Sequence, residues 1–132
     1  MSSPEPFLRL TSVTVSCPAP RDLAGFYARL LRGEVTASDP ALPGEPADAG
    51  WAQVAAGDLR LNFEYERCWT APTWPAVPGE QTATQHLDIW VNDLAAATEW
   101  ALACGATLAE VQPQRDVRVM FDPSGHPFCL FL

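Results

Sequence analysis

The chain contains no lysine. All eight of its cations are arginines, set against sixteen acids, for a formal charge of −8. A chain so short of positive charge lacks the electrostatic footprint of a nucleic-acid binder or of a protein that docks on anionic membranes. No run is apolar for long enough to cross a bilayer. The segment Met1 to Pro6 has neither the basic nor the apolar stretch of a signal peptide, so a cytoplasmic protein is expected. The four cysteines, Cys17, Cys68, Cys104 and Cys129, form no C-x-x-C pair, which excludes a zinc ribbon or a thioredoxin-type motif. Without an export signal they are expected as free thiols. Nucleophile elbows, Walker loops and dinucleotide-binding glycine motifs are also missing. What remains is 132 residues, 48% hydrophobic and 18% charged. That composition excludes a disordered chain and is long enough to bury a core as a single domain over 1–132.

Periodicity divides the chain into two similar halves. Leu8 to Cys17 is expected as a strand, because Ser12-Val13-Thr14-Val15-Ser16-Cys17 alternates polar and apolar residues. Pro18 and Pro20 stop it. Asp22 is placed to cap a helix whose apolar positions, Leu23, Phe26, Tyr27, Leu30 and Leu31, recur at helical spacing, and Gly33 to end it in a left-handed turn. Ser38 to Gly50 reads as an exposed loop. Trp51 to Ala55 and Leu59 to Glu66 read as strands around a Gly57-Asp58 turn. After a proline-rich connection over 68–82 the plan repeats. His86 to Val91 is an alternating strand, Asp93 caps a helix from Leu94 to Ala103, and Gly105 ends it. Val111 is assigned to a short strand, and Val117 to Phe121 and Phe128 to Leu132 to a hairpin around Asp122-Pro123-Ser124-Gly125. Such a repeat is a duplicated supersecondary unit. One face of each sheet is covered by its helix, and the other carries polar and aromatic groups that two sheets together would turn into the lining of a cup.

These residues resemble the vicinal oxygen chelate superfamily, which includes glyoxalase I, bleomycin-resistance proteins, extradiol dioxygenases and methylmalonyl-CoA epimerase. The resemblance runs from Leu10 to Leu132. It rests on His86-Leu87-Asp88-Ile89-Trp90-Val91-Asn92-Asp93-Leu94, on Gly105-Ala106, and on Asp122-Pro123-Ser124-Gly125-His126-Pro127-Phe128-Cys129-Leu130. With Trp74-Pro75 in the linker, the pattern is similar to an actinobacterial glyoxalase-like subgroup. The resemblance implies an α+β fold of two βαβββ modules, about 8–67 and 83–132, forming a cupped mixed sheet with helices outside. It also implies a homodimer, and a metal or ligand in the cup.

Metal-using members of that superfamily place ligands at four positions on the cup face. Here these fall on Ser12, Glu64, His86 and Cys129, so two keep the usual chemistry and two depart from it. A zinc site of Glu64, His86 and Cys129 is chemically permissible, but the set is sparse for a hard divalent ion, and no cofactor is expected. His86 reads as a pocket-lining residue in preference to a ligand, and Cys129 as a small buried hydrophobe. Glu64 divides between a solvated residue and a general acid or base. Asp88, on the same face as His86, either orients its imidazole or pairs with Arg118 or Arg60. Trp51, Trp69, Trp74 and Trp90 are assigned either to the pocket wall, with Ser12 and Thr14, or to a dimer interface. Trp100 is assigned to the core, and His126, in a turn, to no functional role. The favoured function is metal-free binding of a small aromatic or amphipathic molecule. The alternative is a glyoxalase-type lyase, isomerase or epimerase using Glu64 and His86, with or without a divalent metal. An extradiol dioxygenase needs a second histidine at these positions and is set aside.

Overall fold

The structure is a computed structural model and describes residues 5–132; Met1–Pro4, where the segment read for a leader begins, lie outside the described residues. β1 (Ser12–Cys17) starts at Ser12 and not at Leu8. Leu8 and Leu10 precede it as exposed coil. Its Val13 and Val15 pack on the core while Ser12 and Thr14 alternate to the opposite face.

α1 (Pro20–Leu31) buries Leu23, Phe26, Tyr27 and Leu30, the stripe expected from their spacing. Its N-terminus differs from expectation. Pro20 opens the helix, its missing N–H costing nothing in the first turn, and Asp22 sits within that turn, not at the cap. Its C-terminus differs too. Arg32, not Gly33, takes the left-handed conformation, with φ 52°.

β2 (Glu34–Asp39), β3 (Trp51–Ala56) and β4 (Leu59–Tyr65) complete a four-stranded sheet of order β1-β4-β3-β2, with β1 parallel to β4 and the other pairs antiparallel. Gly33 is needed for another reason than the expected turn: a Cβ there would stand 2.3 Å from the Ala55 carbonyl oxygen of β3. β2 runs into the segment read as loop, and all of its residues are exposed. Backbone pairing to β3 holds it, with an irregularity between Val35 and Ala37.

The second module repeats the plan with β5 (Leu87–Trp90), α2 (Leu94–Cys104), β6 (Thr107–Leu108), β7 (Val117–Phe121) and β8 (Pro127–Phe131). Its sheet has the order β5-β8-β7-β6, with β5 parallel to β8. The Asp93 carboxylate caps α2 by accepting from Ala96 N at 3.0 Å, and Gly105 ends the helix at φ 116°, both as expected. The short strand lies at Thr107–Leu108, while Val111 is in coil. The α+β fold of two βαβββ modules is thus the one expected.

The modules meet through their helices and the β7–β8 turn. The two sheets share no ladder, and β1 and β5 are each an edge strand. Phe26 and Tyr27 of α1 both reach Phe128 of β8, with ring centroids 6.1 Å apart in each case. Trp100 was expected in the core but is 40% exposed. Its indole N–H donates to the Leu30 carbonyl at 3.0 Å and its ring carries the Arg32 guanidinium at 4.8 Å.

At the other end of this seam lies a buried carboxylate. Asp122 is 4% exposed. It accepts from the Tyr27 hydroxyl at 2.7 Å, from Ser124 N at 2.9 Å, from His126 N at 3.0 Å, and from His126 Nδ1 at 2.8 Å. The other ring nitrogen of His126 lies 2.9 Å from the Ser16 carbonyl. A carboxylate and a carbonyl can only accept, so the ring satisfies both by carrying both protons. Burial alone would lower the His126 pKa. The Asp122 hydrogen bond and charge, with the Ser16 carbonyl, outweigh it and raise the pKa above 6.5. Burial, then the Asp122 charge, push the Tyr27 hydroxyl well above 10.

Two predictions follow from this seam. Asp122→Ala strands a buried imidazolium and should cost about 3–5 kcal/mol in urea unfolding; a loss under about 1 kcal/mol would show that the carboxylate does not hold the modules together. Because the folded His126 pKa is raised, its stabilisation is complete below about 6.5 and is lost as pH climbs through the folded value. Thermal midpoints of the wild type should therefore fall on the alkaline side of neutrality. Those of His126→Gln should stay flat over the same range, and parallel curves would contradict the assignment.

Candidate functional site

The two uncovered sheet faces differ in chemistry. On the first sheet, cross-strand register puts Thr14, Asn62 and Gln53 side by side. Gln53 Nε2 donates to Asn62 Oδ1 at 2.8 Å, Asn62 Nδ2 reaches Thr14 Oγ1 at 3.4 Å, and Thr36 Oγ1 donates to Gln53 Oε1 at 3.0 Å. A polar row thus crosses all four strands. Ser12 stands beside Arg60, and Glu64 is flanked by Ser16 and Trp51. Glu64 is exposed.

The second sheet carries a hollow of about 440 Å³. Val117, Val119 and Phe131 form its apolar floor, Trp74 and Pro113 its walls, and His86, Asp88 and Cys129 a polar corner. The corner follows from strand geometry. His86 and Asp88 are two residues apart and share a face, while Asp88 lies opposite Cys129 in the parallel β5–β8 ladder. His86 Nδ1 is 3.0 Å from Asp88 Oδ1, and both side chains are about half exposed (51% and 54%). One ligating atom from each of His86, Asp88 and Cys129 lies within 4.8 Å of the others. Burial first, and then the Asp88 charge, raise the Cys129 thiol pKa, so the thiol keeps its proton at neutral pH. Trp74 is joined to Pro75 by a cis peptide bond, and its ring meets Phe121 edge-on at 6.5 Å.

A wider cleft of about 620 Å³ runs along the free edges of β1 and β5. Thr14, Ser16, Trp69 and His126 line it, and His86 and Asp88 form the wall between cleft and hollow. Trp69 packs against His126 at 4.8 Å between centroids.

The expected site residues are therefore distributed. Trp74, His86, Asp88 and Cys129 share the hollow, and Thr14 and Trp69 share the cleft with His86 and Asp88. Ser12, Trp51, Glu64 and Trp90 line neither, and Trp90 is 67% exposed. Asp88 pairs with His86 and with neither Arg118 nor Arg60 among the described residues. The sequence reading missed the structural role of His126. Its partner Ser16 is 110 residues away, and the only local signal was Asp122 four residues earlier.

The thiols also separate. Cys17 is fully buried, and burial, reinforced by the charges of Asp122 and Glu64, pushes it up to about 12 despite a backbone hydrogen bond at Ala19. Cys68 is exposed.

Residues 12–131 match the family model described as Glyoxalase-like domain. A search among curated proteins gave no match. Among solved structures, the fosfomycin resistance protein FosX from Listeria monocytogenes, a mutant complexed with Mn(II) and 1S,2S-dihydroxypropylphosphonic acid, superposes with a TM-score of 0.70 at 13% identity, covering 95% of this chain and 92% of that one. A glyoxalase family protein from Enterococcus faecalis gives 0.65 at 19% identity over 96% and 98% of the two chains. FosX from Mesorhizobium loti gives 0.66 at 11% identity over 95% and 91%. At these identities the likeness is one of fold.

Ellman's reagent should find one fast thiol in the native protein, Cys68, and the fast phase should vanish in Cys68→Ser. A fast phase that survives this substitution would mean that Cys17, Cys104 or Cys129 is far more accessible than the fold allows.

Proposed function

The chain belongs to the glyoxalase-like domain family, and from that premise we propose that it binds a small aromatic or amphipathic molecule in the hollow on its second sheet. The observation that carries this reading is the pairing of an aromatic wall, Trp74, with the polar corner of His86, Asp88 and Cys129 across a space of about 440 Å³. Pockets of this size, mostly apolar with a few convergent polar groups, are the usual form of small-molecule sites. The acid excess of the chain favours a neutral or cationic ligand over an anion.

The Mn(II) held by the Listeria FosX does not carry over. Mn(II) favours oxygen and imidazole ligands, whereas the donors gathered here include a thiol, and the Glu64 carboxylate lies on the other sheet. No step of the proposed function runs through Mn(II).

Unpaired edges at β1 and β5 and the exposed Trp90 ring support a homodimer. The lyase or isomerase alternative draws on a second copy as well, because its two proton-transfer groups, Glu64 and His86, belong to different modules, and Glu64 lines neither the hollow nor the cleft beside His86. Within the cytoplasm, as expected for the chain, the partner is then a small molecule and a second copy. Among the described residues no helix is long and apolar enough to cross a membrane.

Ethidium, a planar aromatic cation, should quench the tryptophan fluorescence of EDTA-treated protein. Trp74→Ala should weaken its binding at least about tenfold, as loss of an aromatic anchor does. Equal binding by wild type and variant, or no quenching in either, would contradict the reading. In sedimentation the mass should be twice the 14.3 kDa of the chain; a monomer at micromolar concentration would remove the dimer.

A further inference from the structure

We propose that Asp88 makes the hollow selective for amphipathic amines, molecules with an apolar or aromatic body and a charged nitrogen that still carries N–H donors. The inference deepens the small-molecule reading and rests on it, naming the head group that the polar corner takes. Among the described residues that line the hollow, Asp88 is the only carboxylate and there is no arginine. The group in contact with it is the His86 ring, whose Nδ1 stands 3.0 Å from Oδ1. An ionised carboxylate has about four acceptor sites. One ring nitrogen leaves most of them open, and with 54% of the side chain exposed they remain within reach of a ligand. A ligand carboxylate would set a second negative charge beside the first.

Strand register orders charge and apolar surface across the face. Asp88, on the edge strand β5, lies opposite Cys129 of β8, which lies opposite Val119 of β7. Two residues further along β8, Phe131 lies opposite Val117. The charge thus stands on the β5 side, and the apolar side chains continue across β8 and β7 between the Trp74 and Pro113 walls. Two strand spacings separate β5 from β7, roughly 10 Å, which is the span of one aromatic ring on a short aliphatic arm. The first module lacks this polarity. The residue opposite Asn62 in its parallel pair is Thr14, and that hydroxyl already accepts from the Asn62 amide at 3.4 Å. Asp88 also occupies none of the four positions at which the superfamily resemblance places ligands. Each N–H given to Asp88 by an ammonium group is a charge-assisted hydrogen bond, about twice as strong as a neutral one. An alcohol offers a donor without the charge, and a quaternary ammonium offers the charge without a donor.

Four probes that share one phenethyl-type body separate these contributions: phenethylamine, its N-trimethylated form, phenethyl alcohol and hydrocinnamate. Affinities are read in EDTA from amide shifts of Val119 and Cys129 during titration of the whole chain. Phenethylamine, charged at neutral pH as a lysine side chain is, should bind about tenfold or more tighter than the alcohol and the trimethylated form. Hydrocinnamate should bind most weakly. Asp88→Asn should bring the ratio of amine to alcohol affinity to within about twofold, with Asp88→Ser as a second variant should the asparagine form fail to fold. An amine that binds no tighter than the alcohol, a trimethylated form that matches the amine, a ratio that survives both Asp88 variants, or no binding by any probe would overturn the assignment. Alcohol binding that is lost in Trp74→Ala would still support the small-molecule reading when the preference for the amine is absent, so the two failures are told apart.

Discussion

A carboxylate taken out of water has to have its lone pairs occupied, and Asp122 meets that requirement only when both modules contribute. Its own turn supplies two backbone N–H groups and the His126 ring, and α1 supplies the Tyr27 hydroxyl. His126 then reaches across to the Ser16 carbonyl of β1. The consequence is orientation more than raw stability. Hydrophobic contacts between Phe26, Tyr27 and Phe128 tolerate sliding, whereas a bidentate pair with a fixed hydroxyl does not. The relative placement of the edge strands β1 and β5, and so the shape of the cleft between them, depends on this knot.

Once that orientation is set, each sheet presents its uncovered face independently. The first carries amide and hydroxyl groups already engaged with one another along the row from Thr36 to Thr14. Groups that satisfy one another in this way have less capacity left for a ligand. The second sheet combines an apolar floor with three polar side chains, and its wall is provided by the linker that carries Trp74. This asymmetry between duplicated modules is the physical basis of the proposal that a ligand binds on the second one.

Much of the fold was legible because period alone determines which side chains face a core. The stripe Leu23, Phe26, Tyr27, Leu30 and the alternation in β1, β4 and β5 required no partner to be recognised. β2 escaped because Glu34 to Asp39 buries nothing, and a strand held by its backbone ladder leaves no hydrophobic signature. Arg32 escaped because its left-handed turn belongs, by propensity, to the glycine beside it. At the site, His86 and Asp88 were legible as a pair from their spacing. Cys129 was placed there by family resemblance and read as buried filler, since its position opposite Asp88 depends on a parallel register that no local pattern encodes. The Tyr27–Asp122 contact, spanning 95 residues, had no sequence signal at all.

The central claim is that ligand chemistry resides on the second sheet, between Trp74 and the corner of His86, Asp88 and Cys129. Backbone and indole amide shifts on adding ethidium test it most directly. The account predicts perturbations concentrated at the Trp74 indole, Asp88, Val119 and Cys129, with the polar row of Thr14, Gln53 and Asn62 in the same chain little affected. Perturbations centred on that polar row, with Trp74 and Cys129 unmoved, would contradict it.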